Sequence, residues 1–213
     1  MMIEKQMYQN LLKRKPNILG EDTFYHYAIL LPMIKKNGEI HILFEVRAYH
    51  LRRQPGEICF PGGKVDEHDT SYMEAAIRET CEELQVTKDV IHDVFPLDYI
   101  VSPNGGIFHL FAGTLSQNDH EIKPNQEEVA EIFTVPLSYF QTTKPKSYKV
   151  HLIPKPASDF PLELIPGGKN YKWQIQGFNE LFYEYKGRTI WGLTAKIVHH
   201  FIHLLQEMDL LKS

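Results

Sequence analysis

Glu79, Glu82 and Glu83 stand at positions i, i+3 and i+4 of one short segment. On a helix that spacing projects the three carboxylates to one side, a few ångströms apart. Like charges so placed repel by roughly 0.2–0.5 kcal/mol per pair on an exposed helix. A divalent cation among them removes the conflict. Clustered carboxylate oxygens suit Mg²⁺ or Mn²⁺, and Mg²⁺ usually reaches a protein together with substrate phosphates. The residues alone also allow a second reading, a solvated acidic face.

The helix that must carry these groups is written around them. Met73, Ala76, Ile77, Cys81 and Leu84 fall on the opposite face and predict a buried stripe. Ser71 followed by Glu74 reads as a capping box, and Asp69 adds negative charge near the helix start. Those roles set Glu74 and Asp69 apart from candidate ligands. Arg78 precedes Glu82 by four positions, the weaker order for a helical ion pair, and is read as a clamp on a carboxylate. Upstream, Gly62-Gly63 after Phe60-Pro61 predicts a tight loop where backbone passes close to something.

From Gly63 to Val86 these residues resemble the Nudix box, G-x5-E-x7-R-E-U-x-E-E-x-G-U. Gly63 matches the first glycine, Arg78-Glu79 the central pair, Glu82-Glu83 the paired acids and Val86 the last aliphatic position. Asp69 stands in place of the first Glu, the next spacer is one residue longer, and Gln85 replaces the glycine after the helix. A non-glycine residue there costs about 1–2 kcal/mol in the left-handed conformation. The preceding stretch, Arg47 to Gly63, is similar to the R-[SA]-x3-R-x3-G-x3-F-P-G-G motif of coenzyme A pyrophosphatases, and fills every fixed place. That branch shares the Asp and the longer spacer.

The resemblance implies an α/β fold, a Nudix α/β/α sandwich with a mixed sheet. It implies metal ions, Mg²⁺ or Mn²⁺, bridged by Glu79, Glu82 and Glu83. The reaction it implies is hydrolysis of the diphosphate of coenzyme A or an acyl derivative, giving adenosine 3′,5′-bisphosphate and a 4′-phosphopantetheine. Such a substrate carries several phosphates, so cations are needed that the acidic helix cannot supply. Arg47 and Arg52 flank a polar segment and lead into the glycine loop; arginine forks bind phosphate oxygens, and the N–H groups of Gly62 and Gly63 can add to them. Glu127-Glu128 before Val129 is similar to the branch's E-V-x-x-x-F-x-V-P-L segment. Nudix enzymes take a further ligand or general base from a loop downstream of the box, which makes Glu128 the candidate here. Glu82, or else Glu128, is expected to take the proton of the attacking water.

Two other readings stay open. The same chemistry could act on NADH, ADP-ribose or a nucleoside triphosphate, against which stands the complete arginine-to-glycine motif. The fold could also serve as a non-catalytic nucleotide-sensing domain. Such domains tend to lose box glutamates, and this chain keeps all three.

Composition agrees with one soluble enzyme. The chain has 213 residues, 43% hydrophobic and 23% charged, enough for a full core in a single domain over 1–213. A net charge of −4 argues against general nucleic-acid binding. The longest apolar run, Ala28–Ile34, contains Pro32 and is too short for a membrane span. Glu4, Lys5 and Gln6 interrupt any signal-peptide pattern, and Leu211-Lys212-Ser213 only rearranges the peroxisomal tripeptide. Cys59 and Cys81 read as reduced packing residues, and the cytoplasm is the expected compartment. A homodimer is common in the fold, a point one sequence leaves open.

Periodicity places the elements. Residues 2–14 predict a helix within an N-terminal extension, 1–20, and the box occupies 62–86. Strands are expected at 24–34 and 39–47 around the hairpin signal Asn37-Gly38, and then near 94–101, 107–115 and 129–135. A short helix begins at Pro136. The proline-rich stretch 142–170 predicts irregular or edge-strand structure. Strands at 172–176 and 180–185 and a helix over about 189–211 close the chain.

Overall fold

The computed structural model describes residues 2–102 and 105–208. Asn37 (φ 52°) and Gly38 (φ 82°) adopt the paired left-handed conformations of a two-residue hairpin turn. They join β1 (Tyr25–Lys36) to β2 (Glu39–Arg47) with Lys36 opposite Glu39, as the sequence predicts. The two strands stay paired only from the turn to Met33 and Ile42. Beyond that point β3 (Ile58–Cys59) adds to β2 and β4 (Gly62–Lys64) adds to β1. The glycine pair is therefore built into the sheet between the parted strands, where a plain loop was expected.

β5 (Ile91–Ser102) pairs antiparallel with β6 (Gly106–Leu115), and β6 runs parallel to β1. β7 (Val129–Pro136) pairs antiparallel with β2 and completes a mixed sheet of seven strands. The helices are α1 (Met2–Leu12), α2 (Tyr72–Leu84), α3 (Leu137–Thr142) and α4 (Gly192–Glu207).

Alternation along the strands gives the sheet two apolar faces. Ala28, Leu30 and Leu43 pack with Ala75, Ala76, Ile77 and Leu84 of α2. Leu31, Ile42 and Phe44 face the other way, onto Phe140 of α3 and Ile197, Val198 and Phe201 of α4. Helices thus cover both faces, the expected α/β/α arrangement.

The C-terminal third departs from expectation. β8 (Lys146–Leu152), β9 (Gln176–Tyr185) and β10 (Arg188–Trp191) form a second, three-stranded sheet with β8 at its edge. The two strands expected at 172–176 and 180–185 are one, running through Gly177, and residues 171–175 carry no regular structure. α4 begins at Gly192 because Ile190 and Trp191 are held opposite Tyr183 and Phe182 of β9. The 209–211 end of the expected helix lies outside the described residues.

Candidate active site

α2 carries the three glutamates, and its ends explain where they point. Ser71 caps the N-terminus, its Oγ accepting from the Glu74 N–H at 3.1 Å. The other half of the capping box is not formed, because the Glu74 carboxylate pairs with Lys88 Nζ at 2.6 Å instead. Gln85 closes the helix in the left-handed conformation, φ 51°. Thr80 and Glu83 join Ala75, Ala76, Ile77 and Leu84 on the buried side, while Met73 and Cys81 are only partly covered. The Glu83 residue is 5% exposed, whereas the Glu82 side chain is 55% exposed. A solvated acidic face does not bury one of its acids, so the bland reading of the triplet fails.

Arg78 organises the outer acids. Its Nη1 donates to Glu79 at 2.9 Å and to Glu82 at 3.1 Å. Its Nε and Nη2 donate to the two Asp69 oxygens, both at 3.0 Å, and Nη2 also reaches the Lys64 carbonyl at 3.3 Å. Asp69 is thus the bidentate anchor of Arg78, a role that charge near a helix end did not suggest. The hydrogen bond from Arg78 holds the Asp69 carboxyl below the usual carboxylate range, and that bond in turn raises the Arg78 pKa. For Glu79, burial outweighs the arginine and the net shift is upward.

The inner side is built on the parted strands. The Gly62 N–H donates to Glu83 Oε2 at 2.9 Å. A Cβ at Gly63 would lie 2.4 Å from the Glu79 carboxyl group, and one at Gly62 would lie 2.5 Å from the Ala28 carbonyl oxygen. Both glycines are therefore required by close approach, one to the acid and one to the sheet. Opposite Glu83, on the same face of β2 as Leu43, sits Glu45, only 1% exposed. Cys59 Sγ donates to Glu45 Oε1 at 3.3 Å across the β2–β3 pair. Burial pushes both carboxyls up, and for Glu83 the Glu45 charge adds to it. Burial likewise pushes the Cys59 thiol up, so it is a proton donor and not a thiolate.

Glu45 was missed by sequence reasoning. Its signal is an acid inside the apolar run Ile42-Leu43-Phe44-Glu45-Val46, where a buried strand has no use for a charge.

The upstream and downstream candidates meet at the end of β2. Arg47 pairs with Val129 in the sheet, and the Ala48 N–H donates to the Glu128 carbonyl at 2.8 Å. The Asn125 N–H donates to the Glu83 carbonyl at 2.8 Å, tying the loop before β7 to the C-terminus of α2. Glu128 is exposed, yet after burial its charge is among the influences that push Glu45, Glu79 and Glu83 upward. Arg47 keeps a buried Nε–H with no acceptor, a donor available to an incoming anion. Arg52 lies exposed in the loop that follows, making no side-chain ion pair or hydrogen bond among the described residues. Arg47, and not Arg52, is the arginine brought to the carboxylates.

The donor set is all oxygen, strongly negative and partly desolvated, and one buried oxygen, Glu45 Oε2, has no partner. That chemistry fits Mg²⁺ or Mn²⁺. Among the described residues no three acidic, histidine or cysteine side chains form a ready coordination cage. Mg²⁺ does not demand one, since it is commonly held by one or two carboxylates plus water and phosphate oxygens.

Residues 24–154 match the model of the NUDIX domain family. The mouse protein named peroxisomal coenzyme A diphosphatase NUDT7 is 33% identical over 178 residues, covering 80% of this chain and 66% of that protein, just under two thirds of its length. An uncharacterized Nudix hydrolase NudL of Yersinia enterocolitica is 30% identical over 174 residues, covering 82% of this chain and 78% of that protein. The NUDIX domain of Shewanella oneidensis NrtR, solved with ADP ribose, aligns with a TM-score of 0.45 at 17% identity, over 62% of this chain and 83% of that one.

Proposed function

Because the chain belongs to the NUDIX domain family, we propose that it hydrolyses the diphosphate bond of coenzyme A or an acyl-coenzyme A in the presence of Mg²⁺ or Mn²⁺. The observation that carries this reading is the junction of Arg47 with the acidic cluster. One strand, β2, delivers a buried acid at Glu45 and, two residues on, a guanidinium with an unanswered N–H. Arg47 also opens the complete motif that runs to Gly63, and the mouse relative is named for coenzyme A.

In this reading Glu79, Glu82 and Glu83 hold the metal, and Arg78 sets the carboxylates of Glu79 and Glu82. Held there, Mg²⁺ or Mn²⁺ would supply neutralisation of phosphate charge and a lowered pKa for water. Glu82, or Glu128 from the loop before β7, takes the proton of the attacking water. Water adds to phosphorus, the bridging P–O bond breaks, and two phosphate monoesters leave. Arg47 binds phosphate oxygens and the exposed Arg52 adds to it; the Gly62 N–H is engaged by Glu83, so Gly62 and Gly63 serve the substrate by letting the backbone lie close to it.

The substrate is a small molecule; nucleic acid has no place in the reading, and among the described residues no helix is long and apolar enough to cross a membrane. The proposed compartment is the cytoplasm, while the mouse relative is named as peroxisomal, and imaging of the tagged full chain separates the two. The substrate test is a panel of coenzyme A, acyl forms, NADH, ADP-ribose and dGTP with Mg²⁺ or Mn²⁺, products identified by mass. Adenosine 3′,5′-bisphosphate from coenzyme A supports the proposal. AMP from NADH or ADP-ribose, with coenzyme A intact, replaces it with the broader nucleoside-diphosphate reading, and no turnover of any compound points to a sensing domain.

A further inference from the structure

Four polar or charged side chains are buried among the described residues: Glu45, Thr80, Glu83 and Thr194. The two threonines are satisfied, donating to the carbonyls of Ala76 at 2.7 Å and Ile58 at 3.0 Å. The two glutamates are not, and they face each other. Glu83 has one donor, the Gly62 N–H, and Glu45 has one, the Cys59 thiol on Oε1. Glu45 Oε2 has none, and the charge of Glu45 bears on Glu83. Among the described residues neither acid forms an ion pair with a lysine or arginine; the Arg47 charge bears on Glu45 without pairing with it, while the outer glutamates share Arg78.

An ionised carboxylate taken out of water without a counter-charge costs several kcal/mol. Glutamine at position 45 would fill the same volume, accept from Cys59 and carry no charge. Two neighbouring buried carboxylates, one with an oxygen that no protein donor meets, are reconciled by a proton or by a cation between them. The surroundings favour the cation: the Glu79 carboxyl and the Glu128 charge bear on the same spot. The box glutamates all come from one helix, so a ligand from the sheet would grip an ion from its opposite side.

We propose that Glu45 is a metal ligand, holding Mg²⁺ or Mn²⁺ jointly with Glu83 from the sheet side of the site. This rests on the metal-dependent reading above and extends it by a residue outside the box. Cys59 has a supporting part: its thiol occupies Oε1 and leaves Oε2 turned to the ion. With two carboxylates fixed by the protein, the remaining positions belong to water and substrate phosphate, the usual division for Mg²⁺.

The test is Mn²⁺ binding by electron paramagnetic resonance on the full chain, with melting temperatures with and without Mn²⁺, for wild type, Glu45→Gln and Glu83→Gln. The expected result is at least tenfold weaker Mn²⁺ binding in Glu45→Gln together with a higher metal-free melting temperature at a pH where both acids are ionised, a pairing that lost packing would not produce. Wild-type Mn²⁺ affinity in Glu45→Gln, with loss in Glu83→Gln, overturns the assignment and leaves the metal-dependent reading standing. No Mn²⁺ binding by wild type overturns that reading itself. If Glu45→Gln does not fold, Glu45→Asp decides: it withdraws the same charge by one methylene, so weakened binding supports the assignment and wild-type affinity ends it.

Discussion

The two halves of the acidic cluster solve the same electrostatic problem in different ways. On the outer half, Asp69, Glu79 and Glu82 converge on the single guanidinium of Arg78, at 2.9–3.1 Å. On the inner half, Glu45 and Glu83 are more deeply buried and, among the described residues, form no ion pair with a basic side chain; a thiol and a backbone N–H are their donors, with the Arg47 charge bearing on Glu45. The outer half is therefore complete as protein, with charges balanced and geometry set before any ligand arrives. The inner half is balanced only when a proton or a cation is added. One half is braced by a guanidinium and the other is left needing a proton or a cation, although Glu79, Glu82 and Glu83 all come from one helix.

Substitutions should separate the halves by the sign of their stability effects. The largest loss is expected for Glu83→Gln. Removing an ionic metal ligand forfeits several kcal/mol of charge stabilisation, so steady-state turnover should fall at least about a hundredfold. Above about pH 9, where both acids of the metal-free pair are ionised, the melting temperature should nevertheless rise, because a buried charge has gone while the Gly62 N–H keeps an acceptor. Arg78→Gln should lower both activity and melting temperature, with turnover down about 10- to 100-fold as for other groups that orient metal ligands. If Arg78→Gln raises the melting temperature instead, the outer half is not self-sufficient.

The glycines divide the same way. Gly62→Ala forces a Cβ onto the Ala28 carbonyl and should cost about 1–3 kcal/mol in denaturant unfolding. Gly63→Ala brings its Cβ against the end of the Glu79 side chain and not against backbone, so stability should fall less than in Gly62→Ala while turnover drops on the order of tenfold.

The inner pair also sets a pH dependence. Both acids have folded pKa values raised above the ordinary 4.5, to about 7 for Glu45 and about 9 for Glu83, with burial the first cause. The folded state therefore binds their protons more tightly, and the stability this supplies is lost as pH rises through those values. Calorimetry of the metal-free protein should show a falling melting temperature from about pH 5 to pH 8, and saturating Mn²⁺ should flatten the fall. A rise over that window would mean the pair is balanced by the protein alone. Smallest is Gln85→Gly, which should stabilise the chain by up to about 1 kcal/mol at its left-handed position without changing turnover.

The outer half was largely legible in the sequence. Helical spacing announced the three acids, their apolar stripe and the arginine, since each depends on local periodicity. What stayed hidden depends on contacts across the chain. Asp69 and Glu74 looked like helix-start devices, but Arg78 and Lys88 reach them from elsewhere. Glu45 reads as one residue of a strand until the parting of β1 and β2 sets it opposite Glu83. The hairpin was legible from Asn37-Gly38, whereas the four residues of β10 carry a helix-like pattern that pairing with β9 overrides.

The central claim is that a metal-requiring acidic pair, joined to Arg47, cleaves a coenzyme A diphosphate. Its most direct test is release of adenosine 3′,5′-bisphosphate from coenzyme A by the full chain, followed by mass with Mg²⁺ present and after complete chelation. Release with Mg²⁺ that stops on chelation is the predicted result. Release at an undiminished rate without metal, or none with it, would contradict the account.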